Sequence, residues 1–532
     1  MTTAVLLHGG AVLGPDDERV RADVLVVDGV VRAAGTGLDV PVGAQRVRCD
    51  GRFVMPGFVD AHSHAGSSVS DPAVQLALLR QGVTTVVTGQ DGVGPAPGDG
   101  SYADRYFAAI DGPHPTYRGG GIGALLDGYD GTTPINVATL VPAGTVRHEV
   151  MGDDPAPASA DQIDAMRGLV RDGLAAGAVG LSTGLDYVPG LFADTDEIAA
   201  LCAEVAAVDA VAVSHMRGGY EGNARAGLDE LAEVARRTGV RTHVSHLHAP
   251  VDLAVAALAD LAADGAPMTF DAYPYSRGCT ILSMLLLPAA LARPGTDDLA
   301  RALAGAGGRD RVRAEVLARV TSRADLGADW AEQVTLSHVP AAAFHTLQGR
   351  TLADAGAATG RAPVDLALDV LVAAQSQVTA VMRVPRPRTA DELAPLFRLP
   401  AHTAGSDGIF VGTHPHPRAY GTFARYLEQY AVTGRSTWAQ AQRHLSTSAV
   451  EHLRLGRRGS VAVGAVADLV VVDPGRVRAN ATYEHPMQLA DGIDDVLVAG
   501  VPVLADGALT HVTPGAGIRR DRGHVGSGTG GR

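Results

Sequence analysis

Short apolar runs that end in a histidine or an aspartate recur along this chain, and that repetition restricts its fold more than any other feature. Phe58-Val59-Asp60-Ala61 leads into His62-Ser63-His64, Ala210-Val211-Ala212-Val213-Ser214 into His215, and Arg241-Thr242-His243-Val244-Ser245 into His246. Alanine- and leucine-rich segments of helical period lie between such runs. Strands alternating with helices build parallel sheets, and catalytic groups collect at the C-terminal face of a parallel barrel. Candidate strands end near His62, Thr88, Leu140, Ser182, His215, His246, Asp271 and Asp407. The expected fold is therefore α/β, a (β/α)8 TIM-like barrel.

The two ends of the chain read differently. Residues 1–54 alternate runs such as Val24-Leu25-Val26-Val27 with Asp-Gly and Gly-Gly turns, and similar runs return after Ser460, as in Leu469-Val470-Val471-Val472. Short strands joined by tight turns are expected in both places. They are read as one small β-sandwich domain made of residues 1–54 and 460–512, with the barrel over 55–459. A chain of 532 residues has room for both cores. Residues 276–400 are expected to form a helical insertion over the barrel mouth, with one short strand at Val334-Thr335-Leu336. The Gly- and Arg-rich tail, 513–532, has few apolar residues to bury and is expected to be disordered.

A formal net charge of −14 without clustered basic residues speaks against a nucleic-acid partner. The N-terminus lacks the basic and apolar regions of a signal peptide, and no apolar run is long enough to span a bilayer. Cys49, Cys202 and Cys279 are too few and too scattered for a disulfide framework or a thiolate zinc cluster. These features suit a cytoplasmic protein that acts on a small molecule, with a homo-oligomer open as its assembly. The sequence contains no lysine, so chemistry that needs a lysine amine is excluded.

Residues two apart on a strand share a face, which lets His62 and His64 address one ion. His215 and His246, each directly after an apolar run, bring the set to four nitrogen donors suited to zinc. A single strand-end histidine is more often structural; four in the same setting indicate a metal site. Asp407, within Thr403-Ala404-Gly405-Ser406-Asp407-Gly408, adds a carboxylate flanked by small residues that leave room for metal, water and substrate.

With these residues in place the chain resembles the amidohydrolase superfamily, and within it the D-aminoacylase, or N-acyl-D-amino-acid deacylase, family. The matching blocks include Met55-Pro56-Gly57-Phe58-Val59-Asp60-Ala61-His62-Ser63-His64, Gly180-Leu181-Ser182-Thr183-Gly184-Leu185-Asp186-Tyr187, Asp271-Ala272-Tyr273-Pro274-Tyr275 and His416-Pro417-Arg418-Ala419-Tyr420-Gly421. The resemblance implies metal ligation by His62, His64, His215, His246 and Asp407. It also implies that Tyr187, Tyr273 and Arg418 hold the substrate, the arginine through its carboxylate.

The sequence departs from the family pattern at four places. Gly89-Gln90-Asp91-Gly92 stands where the family has a metal-binding cysteine, which makes Asp91 the candidate bridge between two ions. A carboxylate in place of a thiolate relaxes the preference for zinc toward manganese or cobalt. His248 occupies the place of a family lysine and, by strand alternation from His246, is expected to face the substrate. Pro142-Ala143-Gly144 lacks a family histidine, and Cys279 replaces a usual serine. The expected reaction is hydrolysis of an N-acyl-D-amino acid by one or two zinc ions, with Asp407 as general base and acid. The alternatives are a cyclic amidase resembling dihydroorotases and hydantoinases, and a non-catalytic scaffold.

Overall fold

Strands buried on both faces read as unbroken apolar or β-branched runs, and Val83–Thr88 is buried at every position. In the computed structural model, which describes residues 4–14, 17–323, 326–384 and 386–521, this run is the second strand of a closed parallel barrel. The barrel strands are β1 (Phe58–Asp60), β2 (Val83–Thr88), β3 (Asn136–Thr139), β4 (Gly180–Gly184), β5 (Val211–His215), β6 (Arg241–Val244), β7 (Met268–Ala272) and β8 (His402–Ala404). Parallel ladders join β1 to β3 and β4 to β8. Val179 N donates to Thr139 O at 2.9 Å between β3 and β4, and Ala61 N to Ala404 O at 3.1 Å closes β8 onto β1. The expected (β/α)8 barrel is thus the observed one. The long helix after β3 begins and stops where the sequence provides caps: Ser159 and Gln162 form a capping box on Ala160–Ala176, which Gly177 ends in a left-handed conformation.

Both chain ends contribute to a β-sandwich beside the barrel. One sheet carries Ala4–His8, Asp23–Val27, Val30–Gly35 and Gln45–Arg48. The other joins Phe53–Pro56 antiparallel to Leu469–Val472, with Val54 opposite Val471, and continues through Ile493–Val498 and Val501–Ala505. Val5, Leu7, Val24 and Val26 from the first sheet pack on Val54, Leu469, Val471 and Leu497 from the second.

The segment between β7 and β8 is more than a helical excursion. Gly278–Ile281, Thr379–Met382 and Val334–His338 form a three-stranded antiparallel sheet, packed with helices such as Gly308–Ser322 and Pro363–Ala373 around Val316, Trp330, Leu336 and Leu368. Two of these strands have four residues each and pair across a long separation, so neither carries a local signal of its own. No helix among the described residues is long and apolar enough to cross a membrane.

The expectation of a disordered tail from 513 fails for residues 513–521. Gly517–Ile518 adds a short parallel strand against β3, with Val137 opposite Gly517, and Ile518 packs with Val59, Ala138, Leu140 and Val179. The remainder of that tail, 522–532, lies outside the described residues. One well-placed isoleucine and two backbone pairings outweigh the poor composition around them. Ending the chain at Val512 is therefore expected to cost about 2–4 kcal/mol relative to a chain ending at Asp521, from the buried isoleucine and the opened edge of β3. Thermal unfolding of the two proteins compares them directly, and equal midpoints would show that the strand contributes nothing.

Candidate metal centre and active site

Four histidines and one aspartate converge at the C-terminal ends of β1, β2, β5 and β6. Asp91, three residues beyond β2, lies at the middle: its Oδ1 is 3.6 Å from His62 Nε2, 3.5 Å from His246 Nε2 and 3.8 Å from His215 Nδ1. Its Oδ2 is 3.6 Å from His64 Nε2. Two groups with metal-ligand spacing result, His62–His64–Asp91 and Asp91–His215–His246, and they share the one carboxylate. Burial disfavours the charged form of Asp91, but the charge on His62 and the close imidazoles of His246 and His215 outweigh it and hold the carboxyl well below its usual range.

The histidines are oriented by acids that sequence reasoning did not single out for that task. His64 Nδ1 is 2.7 Å from Asp111 Oδ1, and His215 Nε2 is 3.3 Å from Asp186 Oδ2. Asp271, at β7, faces His62 Nδ1 at 3.5 Å and His243 Nε2 at 3.1 Å, and its Oδ1 accepts from the backbone N of His246 at 2.8 Å. Carboxylates behind histidines fix ring orientation and tautomer in metal sites. Asp111 sits on a short helix, Ala108–Asp111, inside the long connection after β2, and no motif announces it. Asp91, His246 and Asp407 have φ of +55°, +33° and +50°. Left-handed backbone at non-glycine residues is costly and clusters at functional sites.

That geometry corrects one expectation. His246 and His248 do not share a strand face, because β6 ends at Val244 and the chain turns through His246. The turn still delivers His248 to the cavity wall, where its Nδ1 lies 2.7 Å from Glu221 Oε1. Arg388, from the end of the insertion, pairs with the other oxygen of Glu221. Neither partner was foreseen.

Asp407 follows β8 and stands between the histidines and Arg418. Its Oδ1 is 3.2 Å from His64 Nε2, and its Oδ2 is 2.8 Å from Arg418 Nη2. Burial opposes its ionisation, yet Arg418 prevails and the carboxyl titrates below the usual value. Arg418 is fully buried; its Nε donates to Asp407 O at 2.6 Å and its Nη1 to Tyr273 OH at 2.8 Å. The Nη2 contact is thus an ion pair without hydrogen-bond alignment. Asp60 accepts from Ser406 N at 2.7 Å and so ties β1 to the loop that carries Asp407. Tyr187, buried after β4, sets its ring 4.9 Å from that of His215. Asp91, Tyr187, His215, His246, His248, Tyr273, Asp407 and Arg418 all line one cavity of about 1120 Å³.

A closed parallel barrel with a buried histidine–aspartate cluster at its mouth defines the metal-dependent barrel hydrolases as a class. The amidohydrolase family model matches residues 47–504, so this chain belongs to the amidohydrolase family, on its D-aminoacylase branch. N-acyl-D-glutamate deacylase of Alcaligenes xylosoxydans xylosoxydans is 31% identical over 97% of this chain and 96% of its own, and D-aminoacylase of the same organism is 30% identical over 95% of each. The crystal structure of N-acyl-D-glutamate deacylase from Bordetella bronchiseptica, complexed with zinc and a phosphonate mimic of the tetrahedral intermediate, superimposes with TM-score 0.78 at 28% identity. That alignment covers 97% of this chain and 99% of the other. A D-aminoacylase with a binuclear metal center, described by one-metal activation and second-metal attenuation, gives TM-score 0.79 at 27% identity over the same shares. Dihydropyrimidinase from Brevibacillus agri NCHU1002, at TM-score 0.57 and 15% identity, shares the fold alone.

Proposed function

We propose that the chain hydrolyses the amide of an N-acyl-D-amino acid, releasing a carboxylate and a D-amino acid. The observation that carries this reading is the Asp91 carboxylate shared by two histidine groups, with Asp407 and Arg418 beside it. The donor set fits a metal: His62 Nε2 and Asp91 Oδ1, which face each other, are both buried without a hydrogen-bond partner, a costly state that an ion would relieve. His62, His64, Asp91, His215, His246 and Asp407 would hold one or two zinc ions, with manganese or cobalt also compatible with the carboxylates. Zinc, when bound, supplies Lewis acidity that makes water acidic near neutral pH and polarises the amide carbonyl.

The protein's own groups do the rest. Asp407 accepts the proton of the attacking water as its oxygen bonds to the carbonyl carbon; the C–N bond then breaks and Asp407 returns the proton to the leaving nitrogen. Arg418 holds Asp407 ionised and presents its guanidinium at the cavity to the substrate carboxylate, with Tyr273, Tyr187 and His248 shaping the same wall. A cyclic amidase has less support, since relatives of that kind share only the fold. Release of free amine from a panel of N-acetyl D- and L-amino acids by zinc-loaded protein tests the proposal. Turnover is expected with D-isomers and is absent or far slower with L-isomers; inactivity toward every D-isomer removes the substrate class.

A further inference from the structure

The cavity above the metal centre is larger than the reaction needs. At about 1120 Å³ it lies at or above the top of the range of roughly 300–1000 Å³ that encloses drug-sized ligands, whereas an N-acetyl amino acid is far smaller. Its walls differ in character. The barrel contributes the histidines, the acids and Arg418; the insertion contributes an apolar set, Met284, Leu285, Leu287, Ala289, Ala292 and Leu326, together with charged side chains that include Arg323, Arg383, Arg386 and Arg388. From Leu282 to Ala292 the insertion carries no charged side chain. Arg319 also lines the cavity; its Nε and Nη2 donate to the backbone carbonyls of Leu285 and Met284, each at 3.4 Å, and tie it to the helix Leu282–Leu286. Leu285, Leu287 and Leu326 are anchored in the insertion's own core, so the apolar wall is a fixed surface.

We infer that this chamber receives a long aliphatic acyl group, and that the chain is a deacylase for N-acyl amino acids with acyl chains of about eight carbons or more. The inference rests on the deacylase reading above and adds the substrate's acyl part. No D-amino-acid side chain is large enough to fill the space together with an acetyl group. The cavity is continuous from the metal centre to the insertion, so an acyl chain can leave the scissile carbonyl and lie along the apolar wall. Burying each additional methylene there strengthens binding about fourfold, and in kcat/KM that gain appears wherever the contact persists in the transition state.

The test compares kcat/KM of the zinc-loaded full chain for N-acetyl-, N-hexanoyl- and N-decanoyl-D-leucine, with N-acetyl-D-tryptophan as the large-side-chain arm. The decanoyl substrate is expected to exceed the acetyl one at least tenfold, and Ala289→Phe, which narrows the chamber, to cut that decanoyl-to-acetyl ratio at least tenfold. A ratio that stays flat or falls with acyl length overturns the inference. So does a gain confined to N-acetyl-D-tryptophan, which would give the chamber to the amino-acid side chain. Lack of turnover with every compound would instead overturn the deacylase reading itself.

Discussion

Asp407→Asn is expected to lower kcat by at least about a thousandfold while the protein still retains zinc. The substitution keeps the shape of the side chain and one oxygen for ligation but removes the basic site that accepts a proton. General acid–base groups contribute on the order of 100- to 10,000-fold, and here one group serves both directions of transfer. A second effect follows from the ion pair at 2.8 Å: the fully buried Arg418 loses its anion, which costs about 3–5 kcal/mol when one partner of a buried pair is removed. The variant should therefore melt lower as well as turn over slowly. Metal content by elemental analysis, a thermal melt and steady-state kinetics separate the effects. Hydrolysis at the wild-type rate by a folded, zinc-bearing Asp407→Asn protein would refute the proton-shuttle role.

Asp91→Ala is expected to have an effect of comparable size through a different route. Among the described residues, Asp91 is the one anion within 4 Å of all four cluster histidines, at 3.5 to 3.8 Å. Without it, the two histidine groups would lose the carboxylate they share, and with it the negative charge that would offset bound ions. Zinc affinity should fall on the order of a hundredfold or more, beyond the roughly 10- to 100-fold typical of losing an outer-shell partner. Activity should fall with it. Asp91→Cys restores an anionic donor at the same place and should recover zinc binding, with manganese and cobalt now disfavoured by the softer sulfur. Dialysis against graded chelator followed by metal analysis measures both variants. Unchanged zinc retention in Asp91→Ala would show that the carboxylate is not a ligand.

The barrel and the cluster histidines were legible because each has a local signature: an apolar run sets the strand, and the polar residue that ends it marks the mouth. Sandwich strands were legible in the same way. The supporting groups were not. Asp111, Asp186, Glu221 and Arg388 sit on connections where an acidic or basic residue is unremarkable, and they acquire meaning only when folding brings them beside His64, His215 and His248. His248 shows a different limit. Strand alternation assigned it to the correct wall for the wrong reason, because the positive φ of His246 breaks the strand before alternation applies. The tail failed for a compositional reason. A glycine- and arginine-rich stretch has little to bury on average, yet Ile518 and the backbone pairing of Gly517–Ile518 with β3 hold it in place.

That contact has a consequence for how the protein is made. Ala516 N bonds to Asn136 Oδ1 across 380 residues of sequence, and Gly517–Ile518 lines the edge of a strand in the first third of the chain. At ribosomal rates of about 5–20 residues per second, β3 waits roughly 20–80 s for the segment that covers it. The sandwich strands near residue 54 wait for Leu469–Val472 in the same way. Nascent chains of this protein therefore pass through a long interval with unpaired strand edges, and chaperone occupancy during synthesis should raise its yield.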